Sequence, residues 1–195
     1  MNAYLKDVLD QPKSIRNAFA NFTCAENLKM MKEISDLKYD KILFTGMGSS
    51  HYACYCASIH LNQQGFTSIV TSTSQLLHYE MELINKNTLL FLVSQSGESA
   101  EIVNLLGKMP EACAMVAITN NPQSTLAKIA DYTFILNLED EESVTTRTYV
   151  SSLVLIDLIA KSITRQLDER TKKALLPLWI TWKNVQQIIE LSPIG

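Results

Sequence analysis

Five short apolar runs, set between segments of helical periodicity, limit what this 195-residue chain can fold into more than any other feature. The runs are Lys41 to Thr45, Thr67 to Thr71, Thr88 to Val93, Cys113 to Thr119 and Tyr132 to Leu138. Short strands that alternate with helices predict an α/β fold, a five-stranded parallel sheet covered on both faces. Right-handed crossovers follow, and the common order for such a sheet is 2-1-3-4-5. In that order the winding direction reverses between strands 1 and 3. Ligands bind at the carboxyl ends of the strands at such a reversal.

The turns after strands 1 and 3 are unusual. The third run ends in Ser94-Gln95-Ser96-Gly97-Glu98-Ser99, and an amphipathic stretch to Leu106 follows. Backbone N–H groups in the first turn of a helix lack partners, and the helix dipole favours an anion there. Ser94, Ser96 and Ser99 add hydroxyls, and Gln95 adds an amide. One serine is enough to cap a helix; three serines and a glutamine around a glycine point to an anion site instead. The first run leads into Gly46-Met47-Gly48-Ser49-Ser50-His51, with a helix expected from about Tyr52 to Gln64. This opens like a dinucleotide fingerprint, but His51 stands where the third glycine belongs. Ser49 and Ser50 instead offer a second set of donors to the same crevice.

Net charge is −3 at 19% charged residues, so no broad attraction to nucleic acid or to an anionic membrane is expected. No apolar run approaches the length of a membrane helix, and Met1 to Lys13 does not read as a signal peptide. Cys24, Cys54, Cys56 and Cys113 lack metal-binding or CxxC spacing; they read as free thiols of a cytoplasmic protein, with no metal and no cofactor. Residues 1–38 read as helices that pack on the domain or on a partner. A short helix carries Leu5, Val8 and Leu9, and Pro12 sits where a second begins. The stripe Ile15, Phe19, Phe22, Leu28, Met31, Ile34 and Leu37 follows. Residues 39–170 form the expected α/β domain. In 171–195, Leu175, Trp179, Trp182, Val185 and Ile189 mark a helix, a linker to an absent second domain. Apolar amphipathic ends predict a homodimer. The acidic run Glu139 to Glu142 reads as a solvated loop or a helix start. His51 is a tempting base, but a packing or capping role suits it better. His60 and His78 read as structural or exposed, so no residue is assigned as catalytic.

Together, Gly46-Met47-Gly48-Ser49-Ser50, Ser94-Gln95-Ser96-Gly97-Glu98-Ser99, Ile118-Thr119-Asn120 with Ser124-Thr125-Leu126-Ala127, and Glu142-Ser143-Val144-Thr145-Thr146-Arg147-Thr148 resemble the sugar isomerase (SIS) domain family. The likeness spans roughly residues 35 to 165. It is greatest to the first SIS domain of isomerases of the glucosamine-6-phosphate synthase, AgaS and fructoselysine-6-phosphate deglycase types. The resemblance implies the flavodoxin-like order 2-1-3-4-5 with added terminal helices. It also implies a sugar phosphate held by Ser94, Gln95, Ser96 and Ser99, with Ser49 and Ser50 from the first turn. Val144 and Thr146 fall in the loop that closes over the sugar, where Thr146-Arg147-Thr148 replaces a common Ser-Thr-Lys. The glutamate base and partner histidine of the synthase type belong to a second domain. Two functions follow: the phosphosugar-binding part of an isomerase, or a phosphosugar sensor without turnover.

Overall fold

The computed structural model describes residues 3–109, 113–139, 141 and 145–167. Strands β1 (Lys41–Gly46), β2 (Ser68–Ser72), β3 (Thr88–Val93), β4 (Ala114–Thr119) and β5 (Tyr132–Ile135) form one sheet in the order β2-β1-β3-β4-β5. Every pairing is parallel, with Gly46 opposite Val93 at the carboxyl edge. The sheet therefore has the order and direction that the apolar runs predict.

Period-two alternation divides the core into two layers. Ile42, Phe44, Leu89, Phe91 and Val93 face one side, where the Phe44 and Phe91 rings stack with centroids 4.7 Å apart. Helices α1 (Ala3–Phe22), α2 (Ala25–Asp36), α3 (Ser49–Gln63) and α7 (Arg147–Ile163) cover that side. Leu43, Leu90 and Leu92 face the other side, under α4 (Thr73–Tyr79), α5 (Ala100–Leu106) and α6 (Thr125–Ile129). All six residues of β3 are buried, each large one contributing roughly 2 kcal/mol by leaving water.

The boundaries differ from expectation in instructive places. Helix α1 runs unbroken through Pro12. Asp7, Ser14, Ala18 and Phe22 are buried on both sides of the proline, and packing against α7 outweighs one lost backbone bond. Leu28 is exposed, while Asn27 is buried and donates its side-chain amide to the Asn21 carbonyl at 2.8 Å. Helix α3 starts at Ser49, three residues earlier than expected, so both serines stand in its first turn. The stretch Lys172 to Leu191 lies outside the described residues. Among those described, no helix is long and apolar enough to cross a membrane.

Two polar anchors fix α7. Arg147 pairs with Asp7 of α1 at 3.0 Å, and both side chains are buried. A buried pair adds little net stability, yet removing one partner strands the other charge. Within the acidic run, Glu141 caps the start of α7. Its carboxylate accepts from the Thr146 and Arg147 N–H groups at 2.6 Å each and from the Thr148 hydroxyl at 2.6 Å. Burial alone raises the Glu141 pKa, but these hydrogen bonds outweigh it and hold the carboxyl below the usual glutamate value. Glu141→Gln is expected to cost about 1 kcal/mol at pH 7 in urea unfolding. The folded-state pKa is depressed, so the wild-type advantage is complete above the unfolded value of about 4.3. It disappears as pH falls through the folded value; an advantage independent of pH would remove the carboxylate from this role.

Candidate functional site

The site follows from where α3 and α5 start. β1 and β3 are neighbours, so their following turns emerge side by side. Gly46 is what allows close approach: a Cβ there would lie 2.8 Å from the Val93 carbonyl oxygen and 3.0 Å from the Ser50 backbone carbon. The first turn of α3 is thereby drawn against the end of β3. An open cavity of about 620 Å³ lies there, lined by both turns and by the turn after β4.

Six of the eight residues expected at the site line this cavity: Ser49, Ser50, Ser94, Gln95, Ser96 and Ser99. Thr146 does not; its hydroxyl and N–H both face Glu141. Val144 lies outside the described residues. Met47, Asn120, Asn121 and Pro122 line the cavity as well. The last three belong to the turn after β4, which the strand order places beside the serine turn. That adjacency was the available signal for them.

The serine turn is an ordered scaffold. Ser94 is buried, and its Oγ accepts from the Gly97 N–H at 3.2 Å. The Ser96 Oγ accepts from the Glu98 N–H at 3.2 Å. An accepting hydroxyl still carries a proton to donate. The N-cap residues of the two helices are Gly48 and Ser99, and neither makes a side-chain cap bond. The Ser99 Oγ is buried without a hydrogen-bond partner within the described chain, which is costly unless a bound group supplies one. Ser96 is therefore not a helix cap, and the hydroxyls are not consumed by their own helices.

The turn is held from behind. The Gln95 carbonyl accepts from the Asn120 N–H at 2.9 Å and the Thr119 hydroxyl at 3.0 Å. Glu98 points away from the cavity, as its charge requires, but it supports the next helix and not its own. Its carboxylate accepts from the Thr125 N–H at 2.5 Å and the Thr125 hydroxyl at 2.9 Å, at the start of α6. Asn120 is tied to Leu138 through its side-chain amide, at 2.9 Å and 2.8 Å.

No carboxylate, histidine, lysine or arginine stands among the described lining residues. Neutral donors suit an anion, but they cannot take a proton from carbon. His51 does not line the cavity: it is half-buried against Tyr52 and Tyr55, with Nε2 3.1 Å from the Tyr55 hydroxyl and Nδ1 buried without a hydrogen-bond partner within the described chain. His60 meets the Thr164 hydroxyl at 3.2 Å, and His78 is exposed beside Tyr79. Burial pushes the Cys54 thiol up to about 12; burial, with the Asp131 charge, pushes Cys113 up to about 11. Neither is a nucleophile at neutral pH.

Gly97 controls the geometry. Its φ is +63°, and a Cβ there would lie 2.3 Å from the Ser124 Oγ and 2.6 Å from the Ser124 Cβ. Gly97→Ala combines left-handed strain with a collision and should lower stability by about 3 kcal/mol, measured by denaturant unfolding. A cost within about 0.5 kcal/mol of zero, the range of an ordinary surface substitution, would mean that the turn is not pinned against α6.

The SIS domain family model matches residues 37–162. The glutamine–fructose-6-phosphate aminotransferase (isomerizing) of Pyrococcus horikoshii is 31% identical over 164 residues, 82% of this chain and 27% of that protein. The Sulfolobus acidocaldarius enzyme of the same name is 28% identical, over 83% of this chain and 27% of its own length. The chain thus spans about a quarter of the length of these relatives. Among solved structures, the C-terminal domain of glucosamine-fructose-6-phosphate aminotransferase from Francisella tularensis aligns with a TM-score of 0.75 at 20% identity, over 97% of this chain and 55% of that one. A Methanococcus jannaschii protein, for which a molecular function of 3-hexulose-6-phosphate isomerase was inferred, aligns at 0.66 and 21% identity, over 85% of this chain and 94% of that one.

Proposed function

The chain belongs to the SIS domain family, and we propose that it is the phosphosugar-binding domain of a sugar-phosphate isomerase of the aldose–ketose or amino-sugar type. One observation carries this reading: hydroxyls and amides from two neighbouring turns converge on one cavity with no carboxylate in its described lining. The phosphate lies in the turn of Ser94, Gln95, Ser96 and Ser99, and Ser49 and Ser50 close it from α3. The unsatisfied Ser99 hydroxyl donates to a phosphate oxygen. A dianion is held here by oriented dipoles in place of lysine or arginine. Val144 and Thr146 belong to the loop that covers the sugar. The aminotransferase relatives' names support fructose 6-phosphate as substrate with an amine transferred, and the function inferred for the Methanococcus jannaschii neighbour supports a sugar phosphate as ligand.

The proton transfers of isomerisation then fall to groups outside the described cavity lining, in a second domain of a longer protein or in a partner. Residues 39–170 serve as the binding unit and 171–195 as the link onward. A binding module that senses phosphosugar without turnover is the second reading, favoured by the absence of any acid–base side chain from the described lining. Exchange of the C2 hydrogen of glucosamine 6-phosphate into deuterated water, measured with that second domain or partner present, separates the two. We infer self-association as a homodimer in the cytoplasm, where thiols stay reduced. Sedimentation at micromolar concentration should give a dimer, and a monomer would reject that inference.

Fructose 6-phosphate or glucosamine 6-phosphate at a hundredfold excess over Kd should stabilise the chain by about 2.7 kcal/mol. That corresponds to a rise in Tm of about 5–10 °C. The unphosphorylated sugars should have no effect, and Ser96→Glu should abolish the shift by placing like charge in the turn. Equal shifts for both forms of the sugar, or a full shift in Ser96→Glu, would reject the phosphate site.

A further inference from the structure

The turn after β4 holds one polar group that the phosphate reading leaves unused. Asn120 and Asn121 both line the cavity. The Asn120 side chain is committed at both ends: its Nδ2 donates to the Leu138 carbonyl at 2.9 Å, and its Oδ1 accepts from the Leu138 N–H at 2.8 Å. Asn121 is different. Its N–H donates to the Thr119 hydroxyl at 3.2 Å, and its carbonyl accepts from the Ser124 hydroxyl at 2.8 Å. Its Oδ1 accepts from the Gln123 N–H at 2.9 Å. Nδ2 alone, with two N–H donors, has no partner among the described residues. Pro122 follows and narrows the backbone conformations open to Asn121. The side chain is thus held in place before a ligand arrives.

We propose that the Asn121 Nδ2 donates to an oxygen of the sugar, a hydroxyl or carbonyl on its carbon chain, and so reads the part of the ligand that the serine turn does not. This contact rests on the phosphosugar reading above and assigns the second half of that site. Position and charge separate sugar from phosphate here. Strand order sets the serine turn between the start of α3 and the turn after β4. Asn121 therefore stands beyond the serine turn, on the side away from Ser49 and Ser50. Four residues on, at the start of α6, Thr125 holds the Glu98 carboxylate through its N–H and its hydroxyl. That charge opposes a second anion at the turn after β4, but not a neutral hydroxyl or carbonyl. The cavity, at about 620 Å³, also far exceeds a phosphate and leaves room for a sugar along this wall. A donor already fixed loses little rotamer freedom on binding.

Asn121→Ser supplies the test. Serine keeps a hydroxyl that can accept from the Gln123 N–H and removes Nδ2, so the Tm without ligand should stay within about 3 °C of wild type. In calorimetric titration the substitution should raise the Kd for fructose 6-phosphate by about five- to tenfold, the loss of one neutral hydrogen bond. The Kd for inorganic phosphate should change less than about twofold, because that ligand does not reach Asn121. A second measurement uses the wild-type chain. Its Asn121 side-chain NH2 resonances, identified by their absence from Asn121→Ser, should shift with saturating fructose 6-phosphate and stay in place with inorganic phosphate. Equal weakening of both ligands, no weakening of either, or NH2 resonances that ignore fructose 6-phosphate would overturn the sugar contact and leave the phosphate site standing. A wild-type chain that binds neither ligand would overturn the phosphate site and this contact together.

Discussion

The pairing of β1 with β3 is the constraint on which the site depends. The two strands are parallel, in register from Lys41–Thr88 to Gly46–Val93, and almost wholly buried. Beyond them the chain departs in opposite directions. After β1 it passes through α3 to β2 on one side, and after β3 it passes through α5 to β4 on the other. Helix α3 belongs to the layer with α7, and α5 to the layer with α4 and α6. The two helices diverge from adjacent strand ends, and a crevice opens between them. The cavity is thus a consequence of strand order before any side chain in it is considered.

Strand order alone does not orient donors. The serine turn keeps its shape because the β4–α6 connection grips it from behind, through Thr119 and Asn120 on the Gln95 carbonyl and Thr125 on Glu98. Ser124 packs so tightly on Gly97 that no side chain fits between them. The carboxylate nearest to the turn is neutralised in its effect by being committed to the α6 N-terminus. The order of the turn therefore comes from a neighbouring connection, and the faces left toward the cavity remain uncommitted.

Much of this was legible in the residues, because the fold is set by patterns that act locally. Apolar runs five to seven residues long marked the strands. The serine turns marked the cavity lining, since so many short donors around one glycine exceed what a cap requires. What escaped were effects carried by contacts distant in sequence. Pro12 lies inside α1 because the helix is held by its packing on α7, which no local rule reveals. Asn27 displaces Leu28 from the buried face because a carbonyl of the preceding helix accepts its amide. Glu141 could not be distinguished from its acidic neighbours until the Thr146 to Thr148 donors were seen around it.

The lining has a chemical consequence for how such a domain works. Neutral hydroxyls and amides can offset the charge of a phosphate, but they neither accept nor supply the proton that an aldose–ketose exchange moves. Binding energy gathered on a phosphate remote from the reacting carbons is useful when it fixes those carbons against a base held elsewhere. Under the proposed function, such a group reaches the sugar through the open side of the cavity.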